Sequence, residues 1–226
     1  MTDTIITVQG EHSAWYPAER ATVRLGVHTE GPKREAVFER AVAAAASIRA
    51  AIEPLVDEKA GPVTWWSSAN VRVWPERPWN NEGKQLPLVF HAAVDFTAKF
   101  KDFDALATWL ELVAGIDGAI VSSVSWHLTE STKTSATAEV RSRAVKDAVA
   151  KATVFANSIG LRTVTAIALA DPGMLGDPSG GGAAPAPLMA RAMSAQGFGG
   201  GGAPQLELKP EEIAVASVVD ARFVAK

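Results

Sequence analysis

Four histidines, His12, His28, His91 and His127, are the side chains in this chain best suited to proton transfer or metal ligation near neutral pH. Local spacing does not join them, because none has a second ligand three or four residues away, as a metal pair on one helix face requires. Each falls in a segment read as a strand, so only folding could bring several to one place. A site assembled that way would suit ligand binding or hydrolysis; the simpler reading is four solvated or hydrogen-bonded sheet positions. No G-x-S-x-G elbow occurs, and no histidine and acid are placed to suggest a nucleophilic triad. With no cysteine, the chain has no thiol nucleophile, thiolate metal site or disulfide. Asp102 and Asp104 form a close acidic pair, but at a helix start they serve as cap and dipole partner. Gly197, Gly199 and Gly202 satisfy G-x-G-x-x-G without the preceding strand and following helix that would bring backbone donors to a pyrophosphate. The residues therefore predict no catalytic group, no cofactor and no metal.

Tryptophan is the other conspicuous residue type. Trp66, Trp74 and Trp79 lie on or beside one hairpin, and the alternation puts Trp66 and Trp74 on its polar face and Trp79 in its loop. Large aromatics outside a core mark contact surfaces, so these three form a candidate interaction surface. The opposing reading buries them in their own chain, since a one-residue slip exchanges the faces of a strand. Net charge is -3, from 22 basic and 25 acidic residues, which gives no general attraction for nucleic acid. Arg141, Arg143, Lys146 and Lys151 make a modest basic helix face that reads as solvated surface. The weakly polar run from Ala41 to Ala46 falls far short of the ~20 residues that span a bilayer, so no membrane span is expected. Met1 to Val8 lacks a basic segment followed by an apolar run, which on its own terms predicts a cytoplasmic protein.

The elements that position these residues follow from periodicity. Thr4 to Ala14 reads as a strand with a kink or bulge at Gly10, and Glu19 to Thr29 as a second strand with one wet face. Lys33 to Val56 has helical spacing that ends near Pro54. Val63 to Trp74 and Leu88 to Phe100 read as paired strands around a wide loop at 75–87. Asp102 to Ala114 is a short capped helix, and Ala119 to Thr129 a strand with Ile120, Ser122, Val124, Trp126 and Leu128 on one face. Thr134 to Leu161 is the longest helix. Val140, Ala144, Ala148, Ala152, Phe155, Ala156 and Ile159 form its apolar stripe, and Gly160 its left-handed stop. Thr163 to Leu169 and Ile213 to Val224 close the chain as strands. Between them, 172–204 is glycine, proline and alanine rich, too poor in apolar area to offset its conformational entropy, with one short helix possible at Leu188 to Ala195.

Hydrophobic residues make up 47% of the 226, enough for a real core. The expected fold class is α+β: an antiparallel sheet with helices packed on one face, a ferredoxin-like βαββαβ core extended by a long C-terminal helix and two strands. The expected organisation is a single domain over 1–226 with a flexible insertion at 172–204.

Several segments carry a resemblance. Thr7-Val8-Gln9-Gly10-Glu11, Pro17 and Ala21, Glu35-Ala36, the ladder Ala144, Ala148, Ala152, Ala156 ending at Ile159-Gly160, and Pro210-Glu211-Glu212-Ile213 together resemble the SIMPL-domain family nearly end to end. The likeness implies a non-enzymatic bacterial domain whose biochemical role is unsettled. It also implies large ring-like homo-oligomers in some members and a loose association with stress tolerance. The chain departs from the family pattern in three places. Members from Gram-negative envelopes usually carry a signal peptide, and none is read at Met1 to Val8; Pro17-Ala18-Glu19-Arg20-Ala21 is one residue longer than the usual pattern; and Glu211 stands where glycine is common. The function so expected is an oligomeric binding or scaffold protein, a homo-oligomer open to a protein partner. The alternative is an enzyme or small-molecule binder built on the strand-borne histidines.

Overall fold

A computed structural model describes residues 3–57, 59–79, 85–175 and 208–226. The expected short helix at Leu188 to Ala195, the triplet Gly197, Gly199 and Gly202, and most of the 172–204 insertion lie outside them. The described residues form eight strands in antiparallel sheets and three α-helices, an α+β fold. They divide into two compact units, one drawn from Met1–Tyr16, Thr129–Gly200 and Glu212–Lys226, the other from Pro17–Leu128 and Gly201–Glu211.

The unit from the middle of the sequence, called central for that reason alone, contains β2 (Arg20–Gly31), α1 (Arg34–Ile52), β3 (Val63–Ser68), β4 (Arg72–Glu76), β5 (Val89–Phe100), α2 (Phe103–Ala114) and β6 (Ala119–His127). Its sheet runs β3-β5-β2-β6, with β4 also paired to β5, and every neighbouring pair is antiparallel. Each helical connection skips one strand, so α1 links β2 to β3 across β5 and α2 links β5 to β6 across β2. Strict alternation on β2 and β5 buries Ala21, Val23, Leu25 and Val27 against Ala92, Val94, Phe96, Ala98 and Phe100, beneath Val37, Ile48, Leu106 and Trp109 of the helices. The opposite sheet face carries the polar side chains of these strands, Arg24, His28, Glu30, Asp95 and Lys99 among them. The second helix starts as its sequence requires, with Asp102 Oδ1 accepting from the N–H groups of Asp104 and Ala105 at 3.0 Å.

Two irregularities alter the expected faces. The single strand expected from Val63 to Trp74 is two strands, β3 and β4, with a register shift between Val63 and Trp65. That shift turns Trp66 inward against the core and Trp65 outward, under the Lys99 ammonium 5.3 Å from its ring centroid. On β6, Ser122 is an extra residue between Val121 and Ser123, the partners of Leu25 and Arg24. Alternation reverses there, so Val124 and Trp126 pack on the core while Ile120, expected on their face, is exposed. Leu128 lies beyond the end of the strand.

The second unit is a sheet of order β1-β8-β7, made by β1 (Thr4–Tyr16), β7 (Val164–Ala170) and β8 (Ile213–Ala225), with α3 (Glu130–Ser158) on one face. The long helix and the last two strands thus do not add to the βαββαβ sheet; they pair with the first strand to make a sheet of their own. The helix begins four residues before the expected start because Thr129 caps it, its hydroxyl accepting from the Thr132 N–H at 3.3 Å. It ends as expected: Gly160 has φ 81°, Leu161 N–H donates to Ala156 O and Gly160 N–H to Asn157 O. Its buried line is the ladder Ala136, Val140, Ala144, Ala148, Ala152, Ala156. Phe155 and Ile159, expected on that stripe, are exposed, because the contact follows one i, i+4 ridge of small residues and not a broad apolar face.

Gly10 explains this line. No bulge occurs there, since β1 and β8 stay in register from Thr4 to Tyr16. A Cβ at Gly10 would collide with Ala144 O and lie 2.7 Å from Ala148 Cβ, so the glycine lets the helix backbone rest on the strand. On either side of it, Glu11 N–H donates to Asp147 Oδ2 at 2.9 Å and Lys151 Nζ donates to Gln9 O at 3.1 Å, with Lys151 also 2.8 Å from Asp147. Two side chains of the helix thereby satisfy backbone groups of β1 at Gln9 and Glu11.

The Lys151 hydrogen bond, and then the Glu11 N–H, hold the Asp147 carboxyl below its ordinary value of 3.8. A depressed carboxyl stabilises the fold fully above its unfolded value, and the contribution is lost as pH falls through the lowered one. Stability of the wild type should therefore decline more steeply below about pH 4 than that of Asp147→Asn, as read by urea midpoints across the acid range. Parallel acid limbs would show that this contact contributes nothing.

Candidate functional site

Three adjacent strands build one cluster on the polar face of the central sheet. On β2, alternation exposes His28 and Glu30, two residues apart on the same side. Register places Glu30 directly across from His91 of β5, and Trp74 of β4 across from His91 on its other flank. His28 stands opposite Ala93, whose small side chain leaves room for the neighbouring rings. The imidazoles of His28 and His91 have centroids 5.5 Å apart, and Trp74 stacks on His91 at 5.5 Å with an interplanar angle of 19°.

Both nitrogens of His91 face carboxylates. Nδ1 lies 3.5 Å from Glu30 Oε2 and Nε2 lies 3.5 Å from Glu76 Oε2, with the His91 side chain 13% exposed and both glutamates solvated. One ligand atom each from His28, Glu30 and His91 falls within 4.8 Å of the others. Two imidazoles beside carboxylates can hold a proton or accept a cation, and the Trp74 ring shields one side from water. Further along the same face, Arg72 and Asp95 form an exposed 2.7 Å ion pair.

The four histidines thus separate. His28 and His91 meet, whereas His12 stands opposite Ser217 in the other sheet and His127 opposite Arg20 at the end of β6. Of the candidate tryptophans, Trp74 is in the cluster and 37% exposed, Trp79 is 84% exposed beyond β4, and Trp66 is half-buried against the core, a correction to its expected outward position. Sequence reasoning missed Glu30 and Glu76. The i, i+2 spacing of His28 and Glu30 on a wet strand face was a signal for the first; nothing short of register could bring Glu76 to His91.

A family model for SIMPL, described as a protein of unknown function (DUF541), matches residues 6–223 of the chain. No curated protein matches it. None of the described helices is long and apolar enough to cross a membrane.

Proposed function

The chain belongs to the SIMPL family, and from that premise we propose a non-catalytic scaffold that assembles with copies of itself through its sheet edges. One observation supports this reading: among the described residues, each sheet has one guarded edge and one edge that no other strand covers. In the β1-β8-β7 sheet, β1 has its backbone at Gln9 and Glu11 held by Lys151 and Asp147, while β7 contains no charge and no proline and exposes Ile167 and Leu169. In the central sheet, one edge is broken into β3 and β4, the latter bearing Arg72, Pro75 and Glu76, while β6 contains no proline, lysine, arginine or acid and exposes Ile120. No other strand pairs with the outer edge of β6 or β7 among the described residues.

Soluble proteins blunt exposed apolar edges with charge, proline or cover, and an edge left blank is a template for pairing with another chain. Two such edges per copy allow each copy two neighbours, which closes into a ring when the rotation between copies permits. A part in stress tolerance comes to the proposal from the family resemblance. Sedimentation velocity of the full chain tests it. A discrete multi-copy species is expected, and a strict monomer across micromolar concentrations overturns it.

The rival reading, an enzyme built on the histidine-bearing strands, has the His28–His91 pair in its favour. Against it, His28, Glu30 and Glu76 are exposed, and water around them weakens the electrostatic stabilisation on which enclosed active sites depend.

A further inference from the structure

We propose that His28, Glu30 and His91 bind one late first-row divalent metal ion, with Glu76 orienting His91. The donor set is two imidazoles and one carboxylate, which suits zinc, nickel or copper and is too nitrogen-rich for calcium or magnesium. The ligand atoms already lie within 4.8 Å of one another. A tetrahedral ion with ~2.0–2.1 Å bonds holds its ligands about 3.3 Å apart, a closure that small rotations of His28 and Glu30, both exposed, can supply.

The backbone already fixes where each ligand starts. Antiparallel register sets Glu30 against His91, and the β2 pleat puts His28 on the same face two residues away. His91 is oriented by more than its rotamer preference. Trp74 stacks on its ring, Nδ1 faces Glu30 where the ion would sit, and Nε2 faces Glu76. Metal-bound histidines almost always donate their second N–H to a carboxylate, carbonyl or water, which fixes the tautomer and raises ligand basicity. Glu76 stands where that acceptor belongs. The three protein ligands leave at least one coordination position for water.

Isothermal titration of the full chain, without a polyhistidine tag, decides the matter. ZnCl2 should bind at one ion per chain, while MgCl2 and CaCl2 give no heat. His28→Ala, His91→Ala and Glu30→Gln should each weaken zinc binding at least tenfold, and Glu76→Gln by about tenfold, the lower end for an orienting carboxylate. His12→Ala and His127→Ala should leave it unchanged. Absence of binding in the wild type, or variants at the cluster that bind as well as it does, overturns the proposal, as does equal loss in the two distant histidine variants. Circular dichroism monitors folding, and if His91→Ala fails to fold, the exposed pair His28→Ala and Glu30→Gln decides. Zinc binding here is independent of solution mass, so either result stands apart from the assembly reading.

Discussion

Gly10→Val is expected to destabilise the chain by about 3 kcal/mol or more, the upper range for forcing extra atoms into a packed contact. Even the first added carbon would collide with Ala144 O and sit 2.7 Å from Ala148 Cβ, a backbone oxygen and a β-carbon that no side-chain rotation can move aside. Gly10 has no positive φ, so a side chain there meets no backbone strain and would by propensity favour the strand. The sign of the effect therefore isolates the contact: propensity alone predicts a gain and the helix contact predicts a large loss. Moving α3 away from β1 would also separate Asp147 from Glu11 and Lys151 from Gln9. Urea midpoints of Gly10→Val and of Thr7→Ala, an exposed position on the same strand, make the comparison, with the latter expected within about 0.5 kcal/mol of wild type. Equal stability of Gly10→Val and wild type would show that the helix does not rest on this strand.

Ile167→Lys is expected to break the assembly into smaller species while leaving the fold intact. Register between β7 and β8 passes from Ala166 to Ala168, so Ile167 has no partner on β8 and its side chain is 52% exposed. Lysine there costs the chain little internally, yet it places a hydrated charge on an edge that otherwise has none, the device by which natural sheets prevent edge pairing. Sedimentation should show a loss of mass with unchanged circular dichroism. A variant that keeps the wild-type mass would clear β7 of any role and leave β6, with Ile120, as the edge to alter next.

The two variants probe opposite kinds of legibility. Gly10 was visible in the sequence as a glycine interrupting a strand, which suggests a bulge; that its absent side chain makes room for Ala144 and Ala148, more than 130 residues away, depends on a pairing no local pattern encodes. Trp66 shows the same limit at shorter range. Alternation put it outside, and one register shift after Val63 put it inside.

By itself, the sequence determined what depends on neighbours three or four residues away or fewer. It set the wet and dry faces of β2 and β5, the Asp102 cap, the left-handed stop at Gly160 and the alanine ladder of α3, because strand pleat, helix period and capping act through adjacent backbone. Tertiary structure decided which strands share a sheet, and with that the fate of the four histidines. Antiparallel register is a long-range choice made by the summed burial of whole faces, and it alone brought His28, Glu30, Trp74, Glu76 and His91 to one patch from three strands.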